Sequence, residues 1–381
     1  MQIPYRFAYP ITPQMRQAVE EVLEGRIHYF GPHTRRLEAK LAEVCGTPHA
    51  LSVGSGSGAL LLALHGCGVG PGDEVIMPAN VYAAVPEAVL LVGATPVLAD
   101  IDAATWNLSA EQAAQAMTPR TRALVVQHTY GQPVDMDPLL ALASARGIRV
   151  IEDGAHALGA VYRGRRVGAL GDVSVFAFSN KGISACGVGG AVTTREAGIA
   201  DDMGLRRYHG RKGTYESLAL GYNLRLTEMV AAVASCQLDC LAGWNERRRR
   251  NAEAYRRRLA EAGVPVRTQT ELPDTRHVYL HFVVRTPDRD ALRAHLADRG
   301  VETGVHYWPP SYLHAAFRAR LPYRPGAFPI AEAQAAECLS LPCNPTVDER
   351  AVEYVVEQIS DFYRARGDAG VGRPRAGREV Q

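Results

Sequence analysis

Several features that announce a function directly are missing from this sequence. No stretch of eighteen or more residues is apolar without polar interruption, so no membrane-spanning helix is expected. The opening residues MQIPYRFAYP carry no basic segment followed by an apolar one, so no targeting signal is read there. Charge of one sign is also lacking. The 381 residues hold 42 Lys and Arg against 40 Asp and Glu, a net charge of +2. No basic stripe offers a footprint for nucleic acid. The run Arg247 to Arg250 sits in a helical pattern beside Glu246 and Glu253, which reads as a solvated or inter-subunit helix face. The seven cysteines are odd in number, and Cys236 and Cys240 have no ligand cluster around them. Neither a disulfide framework nor a metal site is therefore expected, and free thiols suit a cytoplasmic location. The glycine fingerprint of dinucleotide-binding folds and the lysine-bearing phosphate loop are both absent, which disfavours dinucleotides and ATP.

What is present is a recurring alternation of short apolar strands and amphipathic helices. Strands are expected at 50–54, 73–77, 97–99, 123–127, 148–151 and 173–178. Helices are expected between them, and residues 190–193 fit an added antiparallel strand. This order predicts an α/β fold with a mostly parallel central sheet and a smaller C-terminal α+β domain. The boundaries read as 1–240 for the large domain with an N-terminal arm, 241–364 for a linking helix and the small domain, and 365–381 for a flexible Gly/Arg-rich tail. A long apolar helix from Glu228 and a second helix over about 243–261 are expected to join the two.

The chemistry gathers after the carboxyl ends of the strands, where such sheets bind ligands. The strand 148–151 runs into Glu152-Asp153, and a buried carboxylate there needs a cationic partner. The run 173–178 ends at Ser179-Asn180-Lys181 and leads into glycines. A lysine so placed is a candidate for covalent chemistry with a carbonyl. Asp153 and Lys181 together suggest pyridoxal phosphate, the Asp holding a pyridinium proton and the Lys carrying the aldehyde. The blander alternative is a solvated loop lysine and a helix-capping aspartate. Gly54 to Gly58, between a strand and a helix, form a cradle of backbone N–H groups suited to a phosphate ester, with Ser57 offering a hydroxyl. Tyr82, at another strand-to-helix junction, is placed either to stack on a planar ring or to fill core.

Six ordered motifs carry a family resemblance over about residues 5–363. They are GPGDEVIMPAN at 70–80, GATPVLADID at 93–102, IEDGAHALGA at 151–160, KGISACGVGG at 181–190, GYNLRLTEM at 221–229 and GVHYWPP at 304–310. The chain resembles the DegT/DnrJ/EryC1/StrS family of pyridoxal phosphate-dependent sugar and aminocyclitol aminotransferases. The resemblance implies a fold-type I transferase. It makes Lys181 the lysine that binds the cofactor, Asp153 the partner of the pyridine nitrogen and His156 a neighbour of the cofactor's phenolic oxygen. Tyr82 becomes the stacking aromatic, Gly56, Ser57 and Gly58 the phosphate loop, and Asn223 a reach into the neighbouring subunit of a homodimer with shared sites. His306 and Tyr307 fall on the substrate side.

Three departures from the family pattern stand out. Ala177 replaces a phosphate-contacting serine, for which Ser179 is the substitute; Val188 replaces an acidic residue; and the segment before Lys181 is one residue short. The implied reaction moves an amino group from L-glutamate or L-glutamine to a keto sugar, preferably nucleotide-linked, in antibiotic or polysaccharide biosynthesis. A ketocyclitol is the alternative acceptor. Arg211, with Arg206, Arg207 and Lys212, is a candidate for a sugar diphosphate, and His128 with His306 for hydroxyl groups. A sugar dehydratase or a non-catalytic regulatory role ranks lower, because Lys181 is retained.

Overall fold

The computed structural model describes residues 1–213 and 215–367. Its centre is a seven-stranded sheet built from β1 (His49–Val53), β2 (Glu74–Pro78), β3 (Thr95–Ala99), β4 (Thr121–Gln127), β5 (Arg149–Asp153), β6 (Val173–Ala177) and β7 (Gly190–Thr194). The order across the sheet is β1-β7-β6-β5-β4-β2-β3. From β6 to β3 the neighbours run parallel, and β7 runs antiparallel to β1 and β6. Side chains alternate across this sheet as the two-residue strand period requires. Val75, Met77, Val125 and Ile151 join one apolar core, while Ile76, Leu124, Val126 and Val150 join the other. Helices cover both faces, so the strands read as apolar runs rather than alternating ones.

Local chemistry starts the helices where the sequence suggested. Thr12 caps Pro13–Gly25 by accepting from the Met15 N–H at 3.2 Å, and Ser109 and Gln112 form a reciprocal capping box at the head of Ala110–Ala116. One expectation fails. Glu228–Glu261 is a single helix of 34 residues, not two. It has no proline, and its one internal glycine, Gly243, is tolerated within regular helix. Its first half packs against Pro13–Gly25 and Pro32–Cys45. Its second half places Ala252, Tyr255 and Leu259 in the smaller unit's core with Phe282, Val352 and Ile359. The expected boundary at 240/241 falls inside this helix.

The smaller unit is an antiparallel sheet of β8 (Arg267–Thr268), β9 (Phe282–Arg285) and β10 (Cys338–Leu341), with Arg289–Ala297 and Glu349–Gly367 packed beside it. The strand expected over 304–307 reduces to one bridge between Gly304 and Ser340. The last helix continues to Gly367, three residues into the expected tail; residues 368–381 lie outside those described. Residues 1–11 form an arm that pairs Ile3 with Val301 of the smaller unit and then crosses to the large one.

Candidate active site

A cavity of about 540 Å³ opens at the carboxyl ends of β4, β5 and β6, between the central sheet, the arm and the smaller unit. Nine of the residues expected from sequence line it: Gly56, Ser57, Tyr82, Asp153, His156, Ser179, Lys181, His306 and Tyr307. Strand alternation explains the selection. Asp153 follows Ile151 on one face of β5, and Glu152 points to the other. Gln127 and Asp153, neighbours in register at the ends of β4 and β5, both reach the cavity.

Lys181 is largely shielded from water, and that burial lowers its amine to a pKa of about 8, with Asp153 opposing the shift. Its Nζ lies 3.0 Å from His156 Nε2, and Tyr307 Oη lies 3.2 Å from the same nitrogen. The Tyr130 backbone N–H donates to His156 Nδ1 at 3.3 Å, so the ring's proton belongs on Nε2. Burial, and then the Lys181 charge, hold His156 well below the usual imidazole range. A neutral His156 therefore offers a proton towards Lys181 Nζ or Tyr307 Oη. The Tyr9 hydroxyl donates to the Lys181 carbonyl at 2.6 Å, pinning the backbone that carries the amine.

Burial raises the Asp153 carboxyl above its ordinary range, against one backbone hydrogen bond from Ala155 at 3.1 Å and the Lys181 charge. A buried carboxylate with so little support needs a cation beside it. A protonated ring nitrogen supplies one, which is the first point of fit to pyridoxal phosphate. The second is the start of the helix Gly56–Gly66. Three residues earlier than expected, the helix already includes the glycines. Ser55 is its cap and takes the Gly58 N–H at 3.0 Å. Gly58 is thus occupied and does not line the cavity, a correction to the expected phosphate loop. The Gly56 and Ser57 N–H groups, which no helix can satisfy internally, line the cavity at the helix's positive end. The close approach also explains Gly56: a Cβ there would lie 2.7 Å from that of Ala177.

His128 is a second correction. It is fully buried outside the cavity, donating from Nε2 to Glu152 at 3.0 Å and accepting the Val134 N–H at Nδ1. Glu152 also accepts from the backbone of Gly168, Leu170 and Gly171. One residue beyond Gln127, His128 has turned to the opposite face and serves the fold. Arg211 does not line its own chain's cavity. The loop after Arg206 folds back on Ala197–Arg206, and Arg211 lines a separate groove with Glu38 and Asp201, its guanidinium 5.0 Å from the Tyr215 ring centre. Arg206 and Arg207 pair with Asp202 and Glu38. Asn223 is exposed, accepts from Arg225 Nε at 2.9 Å and does not line its own chain's cavity.

Sequence reasoning missed five lining residues in particular. Tyr5, Phe7 and Tyr9 come from the arm, and their spacing of two was a legible signal for an extended segment with one aromatic face. His281 stacks on His306 with ring centres 4.1 Å apart. Arg248 was assigned to a surface run, yet it is 2% exposed and lines the cavity. Its spacing from Leu241, Asn245, Ala252, Tyr255 and Leu259 puts it on the helix's buried face.

The fold and this site define a pyridoxal phosphate enzyme built around a lysine at the end of a parallel strand and an aspartate one strand away. Residues 10–360 match the DegT/DnrJ/EryC1/StrS aminotransferase family, and the chain belongs to it. Aminotransferases of this family depend on pyridoxal phosphate. A pleiotropic regulatory protein of Geobacillus stearothermophilus is 40% identical over 93% of this chain and 95% of its own. The dTDP-3-amino-3,4,6-trideoxy-alpha-D-glucose transaminase of Streptomyces venezuelae is 41% identical over 91% of each chain. The crystal structure of S. venezuelae DesV in complex with a ketimine intermediate superposes with a TM-score of 0.88, at 40% identity, over 91% of this chain and 94% of that one. Among the described residues no helix is long and apolar enough to cross a membrane.

Proposed function

We propose that this aminotransferase moves the amino group of L-glutamate or L-glutamine to a keto sugar carried on a nucleotide, releasing the donor's keto acid. The observation that carries the reading is the buried amine of Lys181, 3.0 Å from His156 and in the same cavity as Asp153 and the head of Gly56–Gly66. The relatives named as transaminases of nucleotide-linked sugars support the acceptor class. Bound pyridoxal phosphate supplies an aldehyde that bonds to amines and a cationic ring that withdraws electrons. Asp153 holds the proton on the ring nitrogen. The N–H groups of Gly56 and Ser57 hold the phosphate, Ser179 adds a hydroxyl, and Tyr82 covers the ring. With the cofactor bound, Lys181 Nζ would take the proton from the donor's α-carbon and pass it to the cofactor carbon that keeps the amino group; in the second half-reaction it would carry a proton the opposite way, to the carbon that was the acceptor's ketone. His156 orients that amine through the 3.0 Å contact from its Nε2. His306 and Tyr307 line the acceptor side; burial lowers His306 to about 4, so it binds hydroxyl groups as a neutral ring.

The functional unit of this reading is a homodimer. Asn223, exposed and outside its own cavity, reaches the phosphate of the partner subunit. The seven unpaired cysteines suit the reducing cytoplasm. The test is Lys181→Ala, loaded with pyridoxal phosphate and mixed with L-glutamate or L-glutamine. The wild type is expected to shift the cofactor's absorption from the visible to the near ultraviolet and release a keto acid. The variant is expected to retain cofactor and lose this half-reaction by at least about a thousandfold. Wild-type-like turnover by the variant would remove Lys181 from the mechanism.

A further inference from the structure

Arg248 is a buried cation without a carboxylate. The residue is 2% exposed, and the one hydrogen bond from its side chain among the described residues runs from Nη1 to the Asn245 amide oxygen at 3.0 Å. No Asp or Glu among the described residues pairs with it, whereas Arg249, Arg250, Arg257 and Arg258 on the same helix all have acidic partners. Leaving a guanidinium out of water and unpaired is costly, and proteins accept that cost mainly where a ligand supplies the counter-charge. Arg248 lines the cavity that holds Lys181, against the arm: its guanidinium carbon lies 5.9 Å from the Phe7 ring centre. The phosphate was assigned instead to the head of Gly56–Gly66.

Resting on the aminotransferase reading, we propose that Arg248 binds a carboxylate of the amino acid donor. The chemistry favours this occupant over others. A guanidinium presents a planar fork of N–H groups that matches a carboxylate in two parallel hydrogen bonds. Both candidate donors carry an α-carboxylate, and their keto acid products keep it. A buried guanidinium reached only from inside the cavity suits a small anion. A nucleotide diphosphate, tied to a bulky base and sugar, needs a more open approach. The neighbours are otherwise neutral: His281 is held well below the usual imidazole range, first by burial. The Cys343 thiol is raised to about 12 by burial. Arg248 is therefore the charge on this wall that selects an acid over a simple amine.

The experiment is the half-reaction of the pyridoxal phosphate-loaded protein, followed by absorbance, with L-glutamate and with ethylamine, an amine without a carboxylate. In Arg248→Gln the concentration of L-glutamate giving half the limiting rate is expected to rise about ten- to hundredfold, with ethylamine unaffected. The cofactor spectrum before donor is added should match the wild type. An unchanged L-glutamate dependence overturns the proposal, as does an equal loss with both amines, which marks a structural role. Loss of dTDP binding with L-glutamate unaffected also overturns it, by assigning Arg248 to the nucleotide. If Arg248→Gln does not fold, Arg248→Lys decides: it keeps the charge but not the fork, so a smaller rise for L-glutamate alone supports the assignment and wild-type behaviour refutes it. A wild-type protein inert towards every amino donor would instead sink the aminotransferase reading, whatever Arg248 does.

Discussion

At the scale of single residues, the site depends on a lysine whose amine gives up its proton more readily than it would in water. Burial lowers Lys181 to about 8, and only its neutral amine can attack an aldehyde. The sign follows directly: raising the pH towards 8 increases the reactive fraction, and above that value the gain levels off. The rate at which cofactor-free protein takes up pyridoxal phosphate is therefore expected to rise about tenfold per pH unit well below 8 and to flatten above it. A rise continuing towards pH 10 would mean that burial does not tune this amine. The sequence made Lys181 and Asp153 legible because each stands at the end of an apolar run. It misplaced His128 because a residue's face depends on where its strand ends, and one position separates the cavity-lining Gln127 from the structural His128. Arg248 was hidden differently. Four consecutive arginines sweep most of a helical turn, so one of them faces inward, and only the apolar residues three and four positions away tell which.

At the scale of elements, the glycines that the sequence assigned to a loop are the head of the helix Gly56–Gly66. Glycines read as a turn are the helix's first residues, because Ser55 supplies the cap and β6 comes close enough to exclude a side chain at position 56. The same contact accounts for Ala177. A methyl group there already sits against Gly56, so the two positions are packed as a pair. Gly56→Ala is expected to push the helix head away from β6 and weaken retention of pyridoxal phosphate about tenfold or more, since two real Cβ atoms do not approach to 2.7 Å. Equilibrium dialysis of the variant checks this, and wild-type retention would show that the head is not the phosphate site. The strands themselves were legible within a residue or two, because their apolar runs are bounded by polar and glycine-containing turns. The short edge strands of the smaller unit were not, since pairing there rests on backbone contacts that hydrophobic patterning does not report.

At the scale of the whole molecule, one chain provides most of a site. The arm, the central sheet, the long helix and the smaller unit all contribute to one cavity. Asn223 is the expected exception, standing on the outside of its own chain. If it completes a neighbour's site, damage to Lys181 and damage to Asn223 can be divided between subunits. Lys181→Ala and Asn223→Ala chains, each weak alone, are expected to recover activity when co-expressed. A mixed dimer holds one site with both lesions and one with neither, so random assembly gives about a quarter of wild-type activity per site. No recovery in confirmed mixed dimers would place Asn223 outside the partner's site. The parallel order of the large unit was legible in the sequence. The meeting of the arm with the smaller unit was not, because it joins residues some three hundred positions apart, Ile3 and Val301 among them.

The unbroken helix Glu228–Glu261 acts as a ruler for the site. Near one graduation Gln237 accepts the N–H groups of Ser184 and Ala185 at 2.8 and 3.0 Å, just beyond Lys181. Eleven residues on stands Arg248, and a helix advances about 1.5 Å and turns about 100° per residue. The eleven-residue count thereby sets the span between these two anchors at roughly 16 Å. One residue added or removed would swing Arg248 a quarter-turn off the wall and carry the smaller unit round with it.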